Sequence, residues 1–344
     1  MHMADALLSP AVGATMWAGS MAAIGYSSRK LKENIDNKTI PLMGVLGAFI
    51  FAAMMINFTI PGTGSSGHLC GGLILTVILG PYAAFLVIAS VLMVQALFFA
   101  DGGLLALGCN IWNMGFYSCF IVYPLIYKHI AGNKTSTRRI YIASIVSAII
   151  ALQLGAFSVV LETLLSGKSE LPFGTFVLLM QPIHLAIGLV EGIVTAGIIS
   201  YVKKVRPEII QASFASRPLD AGISVKNILL VFVILAIITG GALSWFASTH
   251  PDGLEWSIEK VTGKAELSEQ KQGVAPVLKE IQEKTAFLPD YNFKPGGKEN
   301  TEREKALAWP GIKAGTSVAG IVGGGIVLGL VLLIGFGIRF FKKK

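Results

Sequence analysis

The chain has 344 residues, of which 53% are hydrophobic and only 14% are charged, and its formal net charge is +8. Soluble domains carry roughly twice that share of charged residues, so we expect lipid to surround most of this chain. The positive charge does not indicate nucleic-acid binding, because the basic residues lie in short clusters at the ends of apolar runs, as topology signals do. The three cysteines form no C-x-x-C pair, so neither a disulfide framework nor a zinc site is predicted.

Hydropathy predicts apolar spans, in chain order, at about 10–27, 40–58, 70–80, 82–99, 105–127, 139–162, 174–202, 226–247 and 311–338. The break after residue 80 is predicted from Gly80-Pro81, because proline removes a backbone donor and strains the preceding turn. The second span ends in a polar, glycine-rich loop, 59–68. A stretch of mixed charge, 248–308, is expected to be soluble. The start of the chain has no basic segment followed by an apolar one, so no cleaved signal peptide is expected.

Clusters of lysine and arginine set the predicted orientation, and they lie within 29–32, 128–139, 203–226 and 339–344. If the broken stretch enters the membrane and returns, all four clusters face the cytoplasm. The amino terminus, the 59–68 loop, the turn at Asp101 and the 248–308 stretch then face outside. The carboxyl terminus is predicted to be cytoplasmic, in a multi-pass protein of a prokaryotic inner or plasma membrane.

The predicted fold class is an all-α integral membrane protein with two modules. Residues 1–205 form a polytopic helical bundle of about six or seven spans. A basic cytoplasmic linker, 206–225, follows. Residues 226–344 form a second module, in which two transmembrane helices flank the extracytoplasmic loop 248–308.

The amino terminus is the strongest candidate for a metal site. His2 is bulky, so Met1 should be retained, which leaves a free α-amino group one residue from an imidazole. That amine, the deprotonated amide nitrogen of His2 and the His2 ring nitrogen can close two fused chelate rings in one plane. His68, at the end of the glycine-rich loop on the same predicted face, is the candidate fourth ligand. A square-planar nitrogen field favours nickel(II) and copper(II), and cobalt(II) fits it less well; either histidine alone could equally be a surface residue.

Other polar residues have two interpretations. His184 shares a helical face with Gln181 and Glu191 inside a predicted span. For this group we favour a buried structural network, or a contact with a partner subunit, over a metal site. A second group could orient the metal ligands or simply form interhelical hydrogen bonds: Gln95, Asp101, Asn110 and Asn113.

Three further interpretations concern packing. Cys70 is interpreted as a packed thiol rather than a ligand. His129 and His250 are interpreted as a helix-end residue and a surface residue. The small residues Ala14, Ala18 and Ala22 permit close helix contacts, and we expect their face to meet an internal neighbour rather than another subunit.

Several uncommon motifs occur in order along the chain. They are Met1-His-Met-Ala-Asp-Ala-Leu-Leu-Ser-Pro10, Pro61-Gly-Thr-Gly-Ser-Ser-Gly-His68 and the segment 95–110. Over about residues 1–205 the chain closely resembles the CbiM/NikM family, the substrate-binding subunits of energy-coupling factor (ECF) transporters for cobalt and nickel. The segments His250-Pro-Asp-Gly-Leu-Glu-Trp256 and Leu288-Pro-Asp-Tyr-Asn292 resemble the PDGLE-type CbiN/NikN component, so the whole resembles a NikMN fusion.

The resemblance implies a function, a site and partners. The metal would be held by Met1, His2 and His68, and the transported ligand would be Ni2+ or Co2+, with no other cofactor. The partners would be a transmembrane coupling (T) subunit and two ATP-binding (A) subunits of an ABC-type transporter. The chain lacks the G-x-x-x-x-G-K-[ST] motif, so it is not itself the ATPase and is not expected to be an enzyme. The start of the chain resembles the nickel branch.

Two alternatives remain at this point. One is a cobalt(II) uptake subunit that supplies cobalamin biosynthesis. The other is a stand-alone metal channel or secondary transporter, which usually requires charged residues deep in several spans. In this sequence such residues, His184 and Glu191, lie on one predicted helix.

Overall fold

The computed structural model describes residues 2–132, 136–168, 171–220, 222–264, 267, 273–294 and 314–342. Within them the chain is mostly helical. The helices are α1 (Pro10–Asn34), α2 (Thr39–Met54), α3 (Gly72–Leu79), α4 (Pro81–Phe99), α5 (Leu107–Ile111), α6 (Lys128–Ala131), α7 (Thr137–Ser166), α8 (Phe173–Val205), α9 (Pro207–Ala215), α10 (Lys226–Gly241), α11 (Gly253–Thr262), α12 (Val274–Thr285) and α13 (Ala314–Lys342). A π-helical segment, Trp112–Tyr127, joins α5 to α6. Short 3-10 turns lie at Asp5–Leu7, Leu243–Phe246 and Pro289–Tyr291.

Four helices within the described ranges are long and apolar enough to cross a membrane: α4, α7, α8 and α13. Two more, α2 and α10, are apolar but shorter. The helix α1 begins at a Ser9 cap whose side chain accepts from the Val12 amide, and it continues beyond the predicted span through the first basic cluster. The structure therefore has the predicted character of a helical membrane protein, while the number of crossings stays a prediction.

The predicted break in the third apolar stretch is confirmed. Gly80 has a φ of 81°, which only glycine adopts readily, and it separates α3 from α4. Pro81 then occupies the first turn of α4, where its missing N–H costs no hydrogen bond. The short helix α3 packs against α4 and lies almost wholly inside the protein.

The structure is mostly helical, as predicted, with one short exception. The glycine-rich loop contains two short antiparallel strands, β1 (Phe58–Ile60) and β2 (Ser65–Gly67). Gly62 and Gly64 supply the positive φ angles of the turn between them. Serine and glycine are poor strand formers, so the local pattern predicted a loop. The second strand also pairs with the second module, a long-range contact that the local sequence does not encode.

The second module packs against α2. Helices α10, α13 and α4 all pack on α2, so nearly all of α2 is buried. Glycines allow α10 and α13 to cross closely, because a Cβ added at Gly320 would lie 2.6 Å from the Gly240 Cα atom. By contrast, the expectation of an internal neighbour for the alanine face of α1 was wrong, since this face is exposed at Ala14, Ala18 and Ala22.

The two ends of the bundle differ. We call the end with His2 and the β1–β2 hairpin the loop end, and the end with α9 the linker end. At the linker end, Lys128 Nζ donates to the Phe214 carbonyl at 2.9 Å, and Lys342 Nζ donates to the Glu33 carbonyl at 3.0 Å. These contacts bring members of the predicted basic clusters to one end of the molecule.

Candidate metal centre

The amino-terminal segment folds into the loop end of the bundle. The Met3 amide donates to Asn110 Oδ1 at 2.8 Å, and Asn110 Nδ2 donates back to the Met3 carbonyl at 3.3 Å. The same carbonyl accepts from the Gly103 amide at 2.9 Å. The apolar side chains of the segment are buried, among them Met3, Leu7 and Leu8. Backbone hydrogen bonds and burial together fix the position of His2.

The close approach of this segment requires Gly102 and Gly103. Gly102 has a φ of 80°, and a Cβ there would lie 2.8 Å from Asn110 Nδ2. A Cβ at Gly103 would overlap the side chain of Asp5. Asp5 Oδ1 in turn accepts from the Ala106 amide at 3.0 Å. The amino-terminal segment therefore packs on the predicted turn after α4, and we call this turn its seat.

His2 is held in a defined orientation. Its Nε2–H donates to Gln95 Oε1 at 3.2 Å, which leaves Nδ1 to bind a proton or a metal ion. Asp101 Oδ1 lies 3.4 Å from Nδ1, and a cation on that nitrogen makes the contact attractive. The His2 side chain is only 8% exposed. Gln95 and Asp101 therefore contact the predicted ligand directly, a contact that the orienting interpretation of these residues requires.

His68 lies beside His2. The two rings stack with centroids 5.1 Å apart and an interplanar angle of 28°. His68 Nδ1–H donates to the Leu69 carbonyl at 3.1 Å, and its buried Nε2 has no hydrogen-bond partner among the described residues. Burial lowers the pKa of His68 from 6.5 to about 3, so the imidazole stays neutral and Nε2 keeps its lone pair. Both predicted histidines thus line one cavity of about 430 Å³.

The loop after His68 is anchored by Glu191 of α8. Its two carboxylate oxygens accept from the Cys70 amide at 2.8 Å and the Gly71 amide at 3.1 Å. Burial, and then the Glu191 carboxylate, raise the pKa of the Cys70 thiol well above its usual range, so this residue remains a packed thiol. The structural interpretation of Glu191 and of Cys70 agrees with these contacts.

His184 does not line the 430 Å³ cavity of the paired rings. Its Nδ1–H donates to the Met180 carbonyl at 2.7 Å, within α8. Gly253 of the second module packs on the ring, since a Cβ there would lie 3.1 Å from His184 Cε1. The cavity that these two residues line together with His68 is only about 10 Å³. His184 therefore contacts the second module of the same chain.

The second module covers the hairpin that leads to His68. Ser66 Oγ donates to the His250 carbonyl at 2.8 Å, and Trp256 Nε1 donates to the Thr63 carbonyl at 3.0 Å. Asp252 caps α11 in a reciprocal capping box with Glu255. The second module also supplies part of the wall of the 430 Å³ cavity, including Asp252, Glu255, Gln282 and Tyr291. The sequence singled out the run 250–256, but its position over the histidines depends on tertiary packing.

The remaining candidates fall outside this group. Met1, the first predicted ligand, lies outside the described residues. His129 and His250 are exposed. Within the described ranges, no group of three or more His, Cys, Asp and Glu side chains could hold a metal ion. The predicted donor set differs from such a side-chain cluster, because two of its four nitrogens, the Met1 amine and the His2 amide, belong to the main chain.

Comparison with known proteins identifies the family. Residues 2–209 match the model of CbiM, described as the cobalt uptake substrate-specific transmembrane region. The chain belongs to the CbiM family. Residues 226–340 of this CbiM-family chain also match the PDGLE domain. The resemblance found in the sequence is thereby confirmed for both segments.

The relatives are metal transport proteins. A protein of Archaeoglobus fulgidus named as a fused nickel transport protein, NikMN, is 32% identical over 332 residues, which cover 96% of each chain. The fused nickel transport protein NikMN of Rhodobacter capsulatus is 31% identical over 302 residues, covering 80% of this chain and 82% of its own. A solved transition metal transporter, 31% identical, covers 62% of this chain and 98% of its own with a TM-score of 0.53. This CbiM-family chain is accordingly a metal-transport membrane protein and not an enzyme.

Proposed function

We propose that the chain is the substrate-capture subunit of an ECF-type transporter that imports nickel(II) in preference to cobalt(II). The observation that carries the proposal is the stacked pair of His2 and His68 on one cavity. Each ring has one nitrogen engaged by a protein acceptor and the other available to a cation. Names of the relatives, which include nickel transport proteins, support the choice of ion.

The proposed ligands are four nitrogens. They are the α-amino group of Met1, the amide nitrogen and Nδ1 of His2, and Nε2 of His68. The first three nitrogens belong to two consecutive residues, so together with the metal ion they can close fused five- and six-membered chelate rings in one plane. Nickel(II) favours that geometry, whereas cobalt(II) gains less from it. The neutral state of His68 supports its role, because its lone pair is free at neutral pH.

The proposed assembly needs energy from other subunits. We propose that the loop end is extracytoplasmic and that the linker end and carboxyl terminus face the cytoplasm. The exposed alanine face of α1 suits close contact with a T subunit, and two A subunits would hydrolyse ATP. The chain would work as two modules, 1–205 and 226–344, joined by the linker 206–225.

The test is metal binding by the purified chain after insertion of two alanines between Met1 and His2. The insertion removes no histidine, but it places three amides between the amine and the imidazole, so the amine, a single amide and the ring can no longer close two fused chelate rings. We expect nickel(II) affinity to fall about 100-fold and the absorption spectrum of the bound ion to change. Cobalt(II), measured in parallel, should bind more weakly to the natural chain.

Two variants complete the test. His68→Ala should also weaken nickel binding, whereas His129→Ala, at an exposed position, should not. Unchanged affinity and spectrum in the insertion variant would reject the chelate. Nickel uptake by cells or vesicles that contain this chain without A subunits would instead support a stand-alone transporter and contradict the proposed assembly.

A further inference from the structure

Tyr291 of the second module reaches the paired histidines through one carboxylate. Its hydroxyl donates to Asp101 Oδ2. The other oxygen of the same carboxylate, Oδ1, lies 3.4 Å from Nδ1 of His2. A hydroxyl of one module therefore holds the group that faces a proposed ligand atom in the other.

The tyrosine ring is fixed by apolar contacts. It stacks on Phe99 with centroids 5.1 Å apart and an interplanar angle of 18°, and it meets Phe51 edge-on at 6.2 Å. Because these contacts involve only the ring, removing the hydroxyl leaves them in place. The hydroxyl and the ring can thus be tested separately.

The backbone around Tyr291 is strained. Asp290 and Tyr291 have φ angles of 50° and 57°, in the left-handed region that bulky side chains rarely adopt. Such a conformation costs about 1–3 kcal/mol and persists only where surrounding contacts impose it. The turn 289–291 is therefore held in place, and the hydroxyl of Tyr291 with it.

Those contacts come from the end of α4, just before Asp101. Gln282 Nε2 donates to the Ala96 carbonyl at 2.8 Å, Thr285 Oγ1 donates to the Leu97 carbonyl at 2.7 Å, and the Leu288 amide donates to the Phe98 carbonyl at 3.3 Å. The last carbonyls of a helix have no partners within it, and here the second module supplies them. The segment that carries Asp101 is thus bound to the segment that carries Tyr291.

We propose that Tyr291 is a positioning residue of the metal site, through which the second module directs the Asp101 carboxylate toward Nδ1 of His2. The proposal rests on the proposed function, since it assumes that a divalent cation binds that nitrogen. A carboxylate held at this place stabilises the positive charge on the imidazole. Groups that support metal ligands in this way typically change metal affinity by 10- to 100-fold when removed.

The experiment compares Tyr291→Phe with Tyr123→Phe. Each variant loses one hydroxyl that meets a side chain, but the partner of Tyr123 is Ser213 at the linker end. For Tyr291→Phe we expect nickel(II) affinity to fall about tenfold, with a shifted visible absorption band of the bound ion. Tyr123→Phe should leave both unchanged. Equal affinity and an equal spectrum in the two variants would overturn the inference.

A second comparison tests the route. In an Asp101→Ala background, Tyr291→Phe should change nickel affinity less than about twofold, because the carboxylate through which Tyr291 acts is no longer present. A full tenfold loss in that background would overturn the route. His2→Ala separates this inference from the proposed function. If His2→Ala retains nickel binding, the proposed site fails; if it loses binding while Tyr291→Phe behaves as Tyr123→Phe, only the role of Tyr291 fails.

Discussion

Two buried histidine centres lie near each other and differ in what surrounds them. The paired-histidine centre consists of His2 and His68, and the single-histidine centre consists of His184 and its helix neighbour Glu191. His68 and His184 each donate from Nδ1 to a carbonyl, and each has a buried Nε2 that meets no hydrogen-bond partner within the part of the chain that the structure describes. An unpaired ring nitrogen therefore does not distinguish a ligand from a structural residue.

The volume of the cavity beside each histidine, and the groups that contact the ring, do distinguish the two centres. The paired histidines line a cavity of about 430 Å³ with a polar wall, whereas His184 lines only a cavity of about 10 Å³, which His68 also borders. A cavity measured in this way needs about 10–15 Å³ to hold a single water molecule, so the smaller space has no room for a hydrated ion. The first centre is suited to binding, and the second to holding the modules together.

The largest expected effect is that of pH on the paired-histidine centre. Because the pKa of His68 is about 3, it takes up no proton near neutral pH. The α-amino group has an ordinary pKa of about 7.7–8.0, and it and the His2 amide each lose a proton on binding. Nickel affinity should therefore rise about 100-fold per pH unit between about pH 6.5 and 7.5. Titration calorimetry in several buffers measures the protons released; release of one or none would contradict four-nitrogen binding.

The next effect comes from the seat of the amino-terminal segment. Gly103→Ala places a methyl group against Asp5, so the segment that carries His2 must shift. Overpacking costs about 1–3 kcal/mol, and we expect a roughly 10- to 100-fold loss of nickel affinity if that cost falls on the bound state. The matched control is Gly197→Ala, since a Cβ at Gly197 would meet none of the described residues within 4 Å. Similar affinities for the two variants would show that the segment does not need this seat.

A smaller effect on nickel affinity is expected when Glu191, which anchors the loop after His68, is substituted. Glu191→Ala leaves the Cys70 and Gly71 amides without their acceptor, and the loop should lose its fixed position. We expect stability to fall by roughly 1–3 kcal/mol and nickel affinity to fall about tenfold. Thermal unfolding and nickel titration measure the two quantities. A loss of stability with undiminished affinity would mean that Glu191 supports the fold alone.

The smallest effect on nickel should follow a change in the single-histidine centre. His184→Ala removes a buried ring, so stability should fall by about 0.5–3 kcal/mol. Under conditions in which the variant is fully folded, its nickel affinity should change less than about twofold, because the small cavity does not admit the ion. A tenfold loss of affinity, or a changed metal stoichiometry, would place His184 in the binding site and remove the distinction between the centres.

Sequence patterns predicted the parts of this molecule that depend on local chemistry. Gly80-Pro81 predicted the broken helix, and hydropathy predicted α7 and α8 nearly to their ends. The pairing of His2 with His68 followed from topology and resemblance, and the structure brings the two rings together. Residues that act through tertiary contacts were harder to assign. Glu191 anchors a loop 120 residues away, and no periodicity records that partner.

The burial of α2 has a consequence for how the two halves stay together. Its contact with α10 and α13 is almost entirely apolar, and in a bilayer lipid tails compete for such a surface on nearly equal terms. The contact alone thus provides little driving force for association. The covalent connection supplies a high effective concentration instead, which makes the encounter intramolecular. Fusion of the two modules in one polypeptide therefore favours their association, as a larger polar interface would favour the association of separate chains.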